Sequence, residues 1–121
     1  MEETIMKQNI LDMALELGKL IKESEHFKKV QHNETIMLQD AAAQKLLTDY
    51  QKLQQAYQLK QQQGQKLTPE DIKAFEELEI KLLENSYIKE FTEAKGVFDD
   101  LLKSVNETIN KSMMADEASH N

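Results

Sequence analysis

The chain has 121 residues and no cysteine. That excludes disulfides, thiolate zinc sites, cysteine-ligated iron–sulfur clusters and cysteine nucleophiles within it. Arginine is also missing, and all 15 basic residues are lysine. Arginine is the side chain best shaped for bidentate contacts to phosphates and base edges. With a formal net charge of −7 as well, direct binding of nucleic acid is not expected. Proline occurs once and glycine three times, which leaves little room for a loop-rich or β-rich fold. No apolar run approaches the roughly 20 residues that a membrane span needs, so no membrane association is expected. The opening Met1-Glu2-Glu3-Thr4 is acidic and lacks the basic start and apolar core of a secretory signal. The expected location is the cytoplasm, where the sequons at Asn33, Asn106 and Asn110 carry no glycosylation meaning.

What is present is helical periodicity. Hydrophobic residues make up 40% and charged residues 31%, a balance that suits long helices with wide solvated faces. Met6, Ile10, Met13, Leu17 and Leu20 recur at steps of four and three, which predicts a first helix over 4–22. Ser24 is placed to cap a second helix, carrying Phe27, Val30 and Met37, as far as about residue 38. Asp40 can cap a third from Ala41 to about residue 63, with Ala43, Leu46, Tyr50, Leu53 and Tyr57 on one face and Leu47 alongside. Its far end is crowded with glutamine, read as a solvated face. Gly64 marks a stop in left-handed conformation. Thr68-Pro69-Glu70-Asp71 then gives a capping box with proline at the first helical position. A fourth helix follows, with Ile72, Phe75, Leu78 and Leu82 directed inward. Asn85 is read as its C-cap and Ser86 as the N-cap of a fifth helix, 87–112, striped by Phe91, Ala94, Phe98, Leu101 and Val105, with Leu102 and Ile109 thickening it.

The expected fold is therefore all-α, with four to five amphipathic helices in a long antiparallel hairpin or bundle. The expected organisation is a single domain over 1–113 and a disordered polar tail over 114–121. Residues 41–67 hold Lys45, Lys52, Lys60 and Lys66 against Asp49 alone, a net charge of +3. Residues 68–100 hold ten acids against four lysines, a net of −6. Opposite charge would favour the packing of the third and fourth helices. Helices this long carry more apolar stripe than one slim bundle covers, which predicts a homodimer. The side chains expected in the core or interface are Leu17, Phe27, Leu46, Tyr50, Phe91 and Phe98. Met6, Met13 and Met37 are read as core first and as an adaptable binding surface second.

A search for chemistry finds little. Glu23-Ser24-Glu25-His26 has the E-x-x-H spacing of di-iron bundles, but those sites need two such motifs and two further glutamates. Glu76, Glu77 and Glu79, and Asp99-Asp100, fall mainly on polar helix faces. No phosphate loop, nucleophile elbow or triad is present. No catalytic, cofactor-binding or metal-binding residue is expected, and no cofactor. The expectation is a non-enzymatic protein–protein interaction module. Two other readings are a holdase-like or structural helical protein and a metal-dependent enzyme built on the carboxylates.

Five segments in order carry a family resemblance. They are ALELGKLIKESEHFKK at 14–29, QDAAAQKLLTDYQKLQ at 39–54, the glutamine-rich helix ending at Gly64, FTEAKGVFDDLL at 91–102 and VNETIN at 105–110. In these the chain resembles the YlbF/YmcA family of small bacterial helical proteins, over about residues 8–112. The resemblance implies an all-α fold with a long helical hairpin, often dimeric. It implies a regulatory adaptor of bacterial development or RNA processing, acting in a multiprotein complex. Cluster ligation by cysteines, a property of some members, does not carry over, because this chain has none. In that respect it is similar to the cysteine-free, YheA-like branch. The resemblance brings no catalytic residues.

Overall fold

The computed structural model describes residues 1–119, with side chains as far as Met114. Among the described residues there are five helices and no strand: α1 (Glu2–Glu23), α2 (Glu25–Gln39), α3 (Ala41–Gln62), α4 (Pro69–Glu84) and α5 (Ser86–Ser119). The fold class is all-α, at the upper end of the expected helix count. The predicted polar tail falls on α5 as far as Ser119, and residues 120–121 lie outside the described part.

The breaks between helices are set by local polar chemistry. The Ser24 hydroxyl donates to the Ile21 carbonyl at 2.6 Å and accepts from the Phe27 amide at 3.2 Å, so one side chain ends α1 and starts α2. Asp40 caps α3 by accepting from the Ala43 amide at 2.9 Å. Thr68 and Asp71 form the full reciprocal capping box, with Pro69 at the first helical position of α4. The α4–α5 break differs from the sequence reading in one respect. Asn85, not Ser86, caps α5, accepting from the amides of Tyr87 at 3.1 Å and Ile88 at 3.0 Å. The same residue ends α4, leaving Ser86 as the first residue of α5.

α3 ends in a Schellman motif. The Gln65 amide reaches the Lys60 carbonyl at 2.9 Å and the Gly64 amide reaches Gln61 at 3.1 Å. Gly64 sits at φ +74°, with open space where a Cβ would be. The difficulty with any other residue is therefore conformational and not steric crowding. Gly64→Ala is expected to lower the free energy of unfolding by about 1–2 kcal/mol, read from a denaturant titration.

The chain divides into two compact units. The first comprises residues 1–31 and 95–121, the second residues 32–94, with the boundaries falling inside α2 and α5. In the second unit, α3 and α4 pack side by side as an antiparallel hairpin. Its core is Met37, Ala43 and Ile88, with Leu46, Leu47, Leu82 and Phe91 packed against them. Ala43 is fully buried, so no larger side chain fits there without moving its neighbours. Asn33 of α2 donates to the Glu90 carbonyl of α5 at 3.3 Å in the same unit. The first unit is different: none of its described side chains, on 1–31 or 95–114, is buried.

Candidate interaction surface

The apolar stripe of α1 is where sequence and structure part most clearly. Periodicity alone reads Met6, Ile10, Met13, Leu17 and Leu20 as a face that packs. Only Leu17, joined by Ile21, is half-buried. Met6, Ile10, Met13 and Leu20 are 62–76% exposed, as 65%, 62%, 76% and 66% respectively. Met37, by contrast, is core. Of the three methionines, Met37 alone is core, and Met6 and Met13 are exposed. In the same unit Phe27 and Phe98 meet with ring centroids 5.5 Å apart, tilted at 55°. Val30, Leu101, Leu102 and Val105 are half-buried, and Val97, Ile109, Met113 and Met114 are exposed. A large apolar side chain left in water forgoes roughly 1.5–3 kcal/mol of burial free energy. Exposed apolar surface of this extent is uncommon on a protein that works alone.

The second unit holds the remaining expected residues. Leu46 and Phe91 pack on the buried cluster. Tyr50 stacks on Phe75 at 5.2 Å, and Phe75 in turn lies 5.8 Å from Tyr57. This three-ring ladder bridges α3 and α4. Ile72, expected inward, is 47% exposed instead. Ile88 belongs to the core although the sequence reading began its stripe at Phe91. The signal was available, since Ile88 lies three residues before Phe91 on the same helical face.

Beyond the ladder, Asp71 ties the hairpin corner together. Its carboxylate accepts from Lys60 Nζ at 2.7 Å and from the Thr68 amide at 3.0 Å, while its carbonyl accepts from the Tyr57 hydroxyl. This is the one ion pair between α3 and α4 among the described residues, so the charge asymmetry is realised at a single contact. The Lys60 ammonium, followed by the Thr68 amide, holds the Asp71 carboxyl below the usual carboxylate range, against an opposing push from burial. Burial, then the Asp71 charge, pushes the Tyr57 hydroxyl up, and Lys60 opposes it. A carboxyl whose pKa is lowered on folding stabilises the fold above its unfolded value, and that contribution is lost as pH falls through the folded one. Asp71→Asn should therefore cost stability at neutral pH. The gap to the native chain should close as the solution is acidified through the carboxylate range. Thermal melts across that range check it, and a gap independent of pH would rule it out.

The carboxylate clusters do not converge. Glu76, Glu77, Glu79, Asp99 and Asp100 are exposed, as are His26 and His32. No group of three or more His, Asp or Glu side chains among the described residues is placed to hold a metal. His120 lies outside the described residues. No helix among those residues is long and apolar enough to cross a membrane.

Comparison with known proteins bears on what such a surface serves. The model of the family described as "Control of competence regulator ComK, YlbF/YmcA" matches residues 10–114. The chain belongs to this family. Members similar to it include a UPF0342 protein of Bacillus thuringiensis strain Al Hakam and one of Bacillus cereus strain AH187. Each is 30% identical over 108 residues, covering 89% of this chain and 92% of the relative. Among solved structures, Bacillus subtilis RicA, crystallised in complex with RicF, superposes with a TM-score of 0.78 at 19% identity, over 89% of this chain and 96% of that one. A DUF964 protein of Bacillus stearothermophilus gives 0.72 at 16% identity, over 87% and 92%. At these identities the likeness establishes the helical fold. The YlbF/YmcA membership rests on the family model and the UPF0342 relatives.

Proposed function

We propose that this YlbF/YmcA protein is a non-enzymatic interaction module that homodimerises through the apolar face of α1 and the adjoining face of α5 in the same unit. It then presents its remaining surface to a protein partner in a regulatory complex, in bacterial development or RNA processing. The observation that carries this reading is a unit without a single buried described side chain, whose α1 holds seven large apolar residues at half exposure or more: Ile5, Met6, Ile10, Leu11, Met13, Leu15 and Leu20. Such a unit gains its core from another chain. Leu17, Phe27 and Phe98 are assigned to that interface, and Leu46, Tyr50 and Phe91 to the core of the hairpin unit. The family description and the crystallisation of RicA with RicF support a role among regulatory protein complexes.

Sedimentation of the purified chain tests the first half, with a dimer expected at micromolar concentration. A monomer with full helical content would defeat it. Affinity capture from native extract, with and without ribonuclease, tests the second half. A reproducible protein partner that survives nuclease is expected, whereas a partner lost on nuclease treatment would mean association through RNA.

A further inference from the structure

The hairpin unit carries a second surface, distinct from the face assigned to dimerisation. Resting on the reading of the chain as an interaction module, we propose that the glutamine-rich side of the α3–α4 hairpin is a docking groove for a cationic amphipathic helix of a partner protein. The groove has a volume of about 710 Å³. Ile72 and Phe75 contribute its apolar lining from α4, and Ile72 is 47% exposed. Gln55 and Gln58 line it from α3, and their side-chain amides form no hydrogen bond among the described residues, so they are free to donate and accept. Glu76 and Glu79 stand three residues apart on α4, which makes them neighbours on its surface. Neither takes part in an ion pair among the described residues, and no basic residue lines the groove.

That charge is specific to one side of the hairpin. The other side is lined by Asp49, Lys52, Glu77 and Lys81, two charges of each sign. Of these two sides, the glutamine-rich one offers uncompensated carboxylates beside an apolar floor. Its α3 wall runs from Gln51 to Gln61, about 15 Å along the helix axis, or nearly three turns. An open trough between two helices matches a third helix laid along it, with apolar side chains down and lysine or arginine against the carboxylates. A second copy of this chain, at net charge −7, is poorly matched to an acidic groove, because its basic stretch, residues 41–67, consists mainly of α3, which is already packed against α4. Charge complementarity therefore selects a different, basic partner segment.

The test uses the full chain and a fluorescent helical peptide of about 18 residues, with leucine at i, i+3, i+4 and i+7 and lysine elsewhere. A matched peptide carries glutamate in place of lysine. Fluorescence anisotropy should show saturable binding of the lysine peptide alone. Glu76→Gln with Glu79→Gln should weaken it roughly five- to tenfold and flatten its salt dependence. Asp49→Asn with Glu77→Gln changes net charge by the same amount on the opposite side and should leave affinity within about twofold. Equal loss in both double variants would reduce the effect to net charge and overturn the proposal. Absence of binding, or equal binding of the glutamate peptide, would also overturn it. A change in the oligomeric state of Glu76→Gln/Glu79→Gln would assign the groove to a second copy instead. If the peptide fails while the native chain still dimerises, the groove falls and the interaction-module reading stands.

Discussion

Ile88→Ala is expected to remove about 2–5 kcal/mol from the free energy of unfolding, the range for deleting most of a buried aliphatic side chain. Ile88 is 7% exposed and belongs, with Met37 and Ala43, to the small cluster on which Leu46, Leu47, Leu82 and Phe91 pack. Few other side chains are available to close over the hole. Domains of this kind are held by only about 5–15 kcal/mol, so one substitution could take a large part of the total. A urea titration should show the midpoint falling with the slope unchanged. Ile80→Ala, on α4 of the same unit, is the matched control. Its isoleucine is 54% exposed, and its loss should cost only about half a kcal/mol or less. Equal losses at the two sites would mean that the cluster is not the core of the hairpin unit.

The second large effect is on assembly. Ile10→Glu with Met13→Glu places two charges on side chains 62% and 76% exposed. Glutamate is a good helix former, so α1 should persist and circular dichroism should hardly change. In the dimer those positions lose burial worth roughly 1.5–3 kcal/mol each. Together that weakens association by about a hundredfold or more. Sedimentation equilibrium should show the variant as a monomer under conditions where the native chain is expected to dimerise. Unchanged association would move the interface off α1.

The helices and their ends were legible because the forces that set them act over three or four residues. Asp40, Gly64 and the Thr68–Asp71 box each complete their bonds within their own turn. Asn85 and Ser86 are indistinguishable by spacing because both side chains can cap, and only the backbone path decides which carbonyl or hydroxyl meets the Tyr87 and Ile88 amides. The apolar stripes were equally visible, but what covers them was not. Met6, Ile10 and Met13 alternate steps of four and three, just as Ala43, Leu46 and Tyr50 alternate three and four. One set faces solvent and the other packs against a neighbouring helix. Burial depends on elements far along the chain, so periodicity finds a face without finding its partner. The Lys60–Asp71 contact was hidden for the same reason. Spacing within α4 assigns Asp71 its cap alone, although Lys60 and Asp71 lie on either side of the Gly64 turn.

Asp71 has a consequence for how the chain reaches its native state. One carboxylate both starts α4 and binds α3, through partners 3 and 11 residues away. Helix initiation and hairpin closure are thus the same event at this corner. The entropy lost in closing a chain segment grows with its length, and a segment of about ten residues closes in roughly 10–100 ns. The corner is therefore a low-cost place for the first contact between α3 and α4, and the Tyr50–Phe75–Tyr57 ladder lies along the path by which that contact extends. Assembly of the hairpin can run from there as a zipper. α1 has no buried residue in the isolated chain, so under the proposed dimerisation its cover would come only in a step that depends on protein concentration.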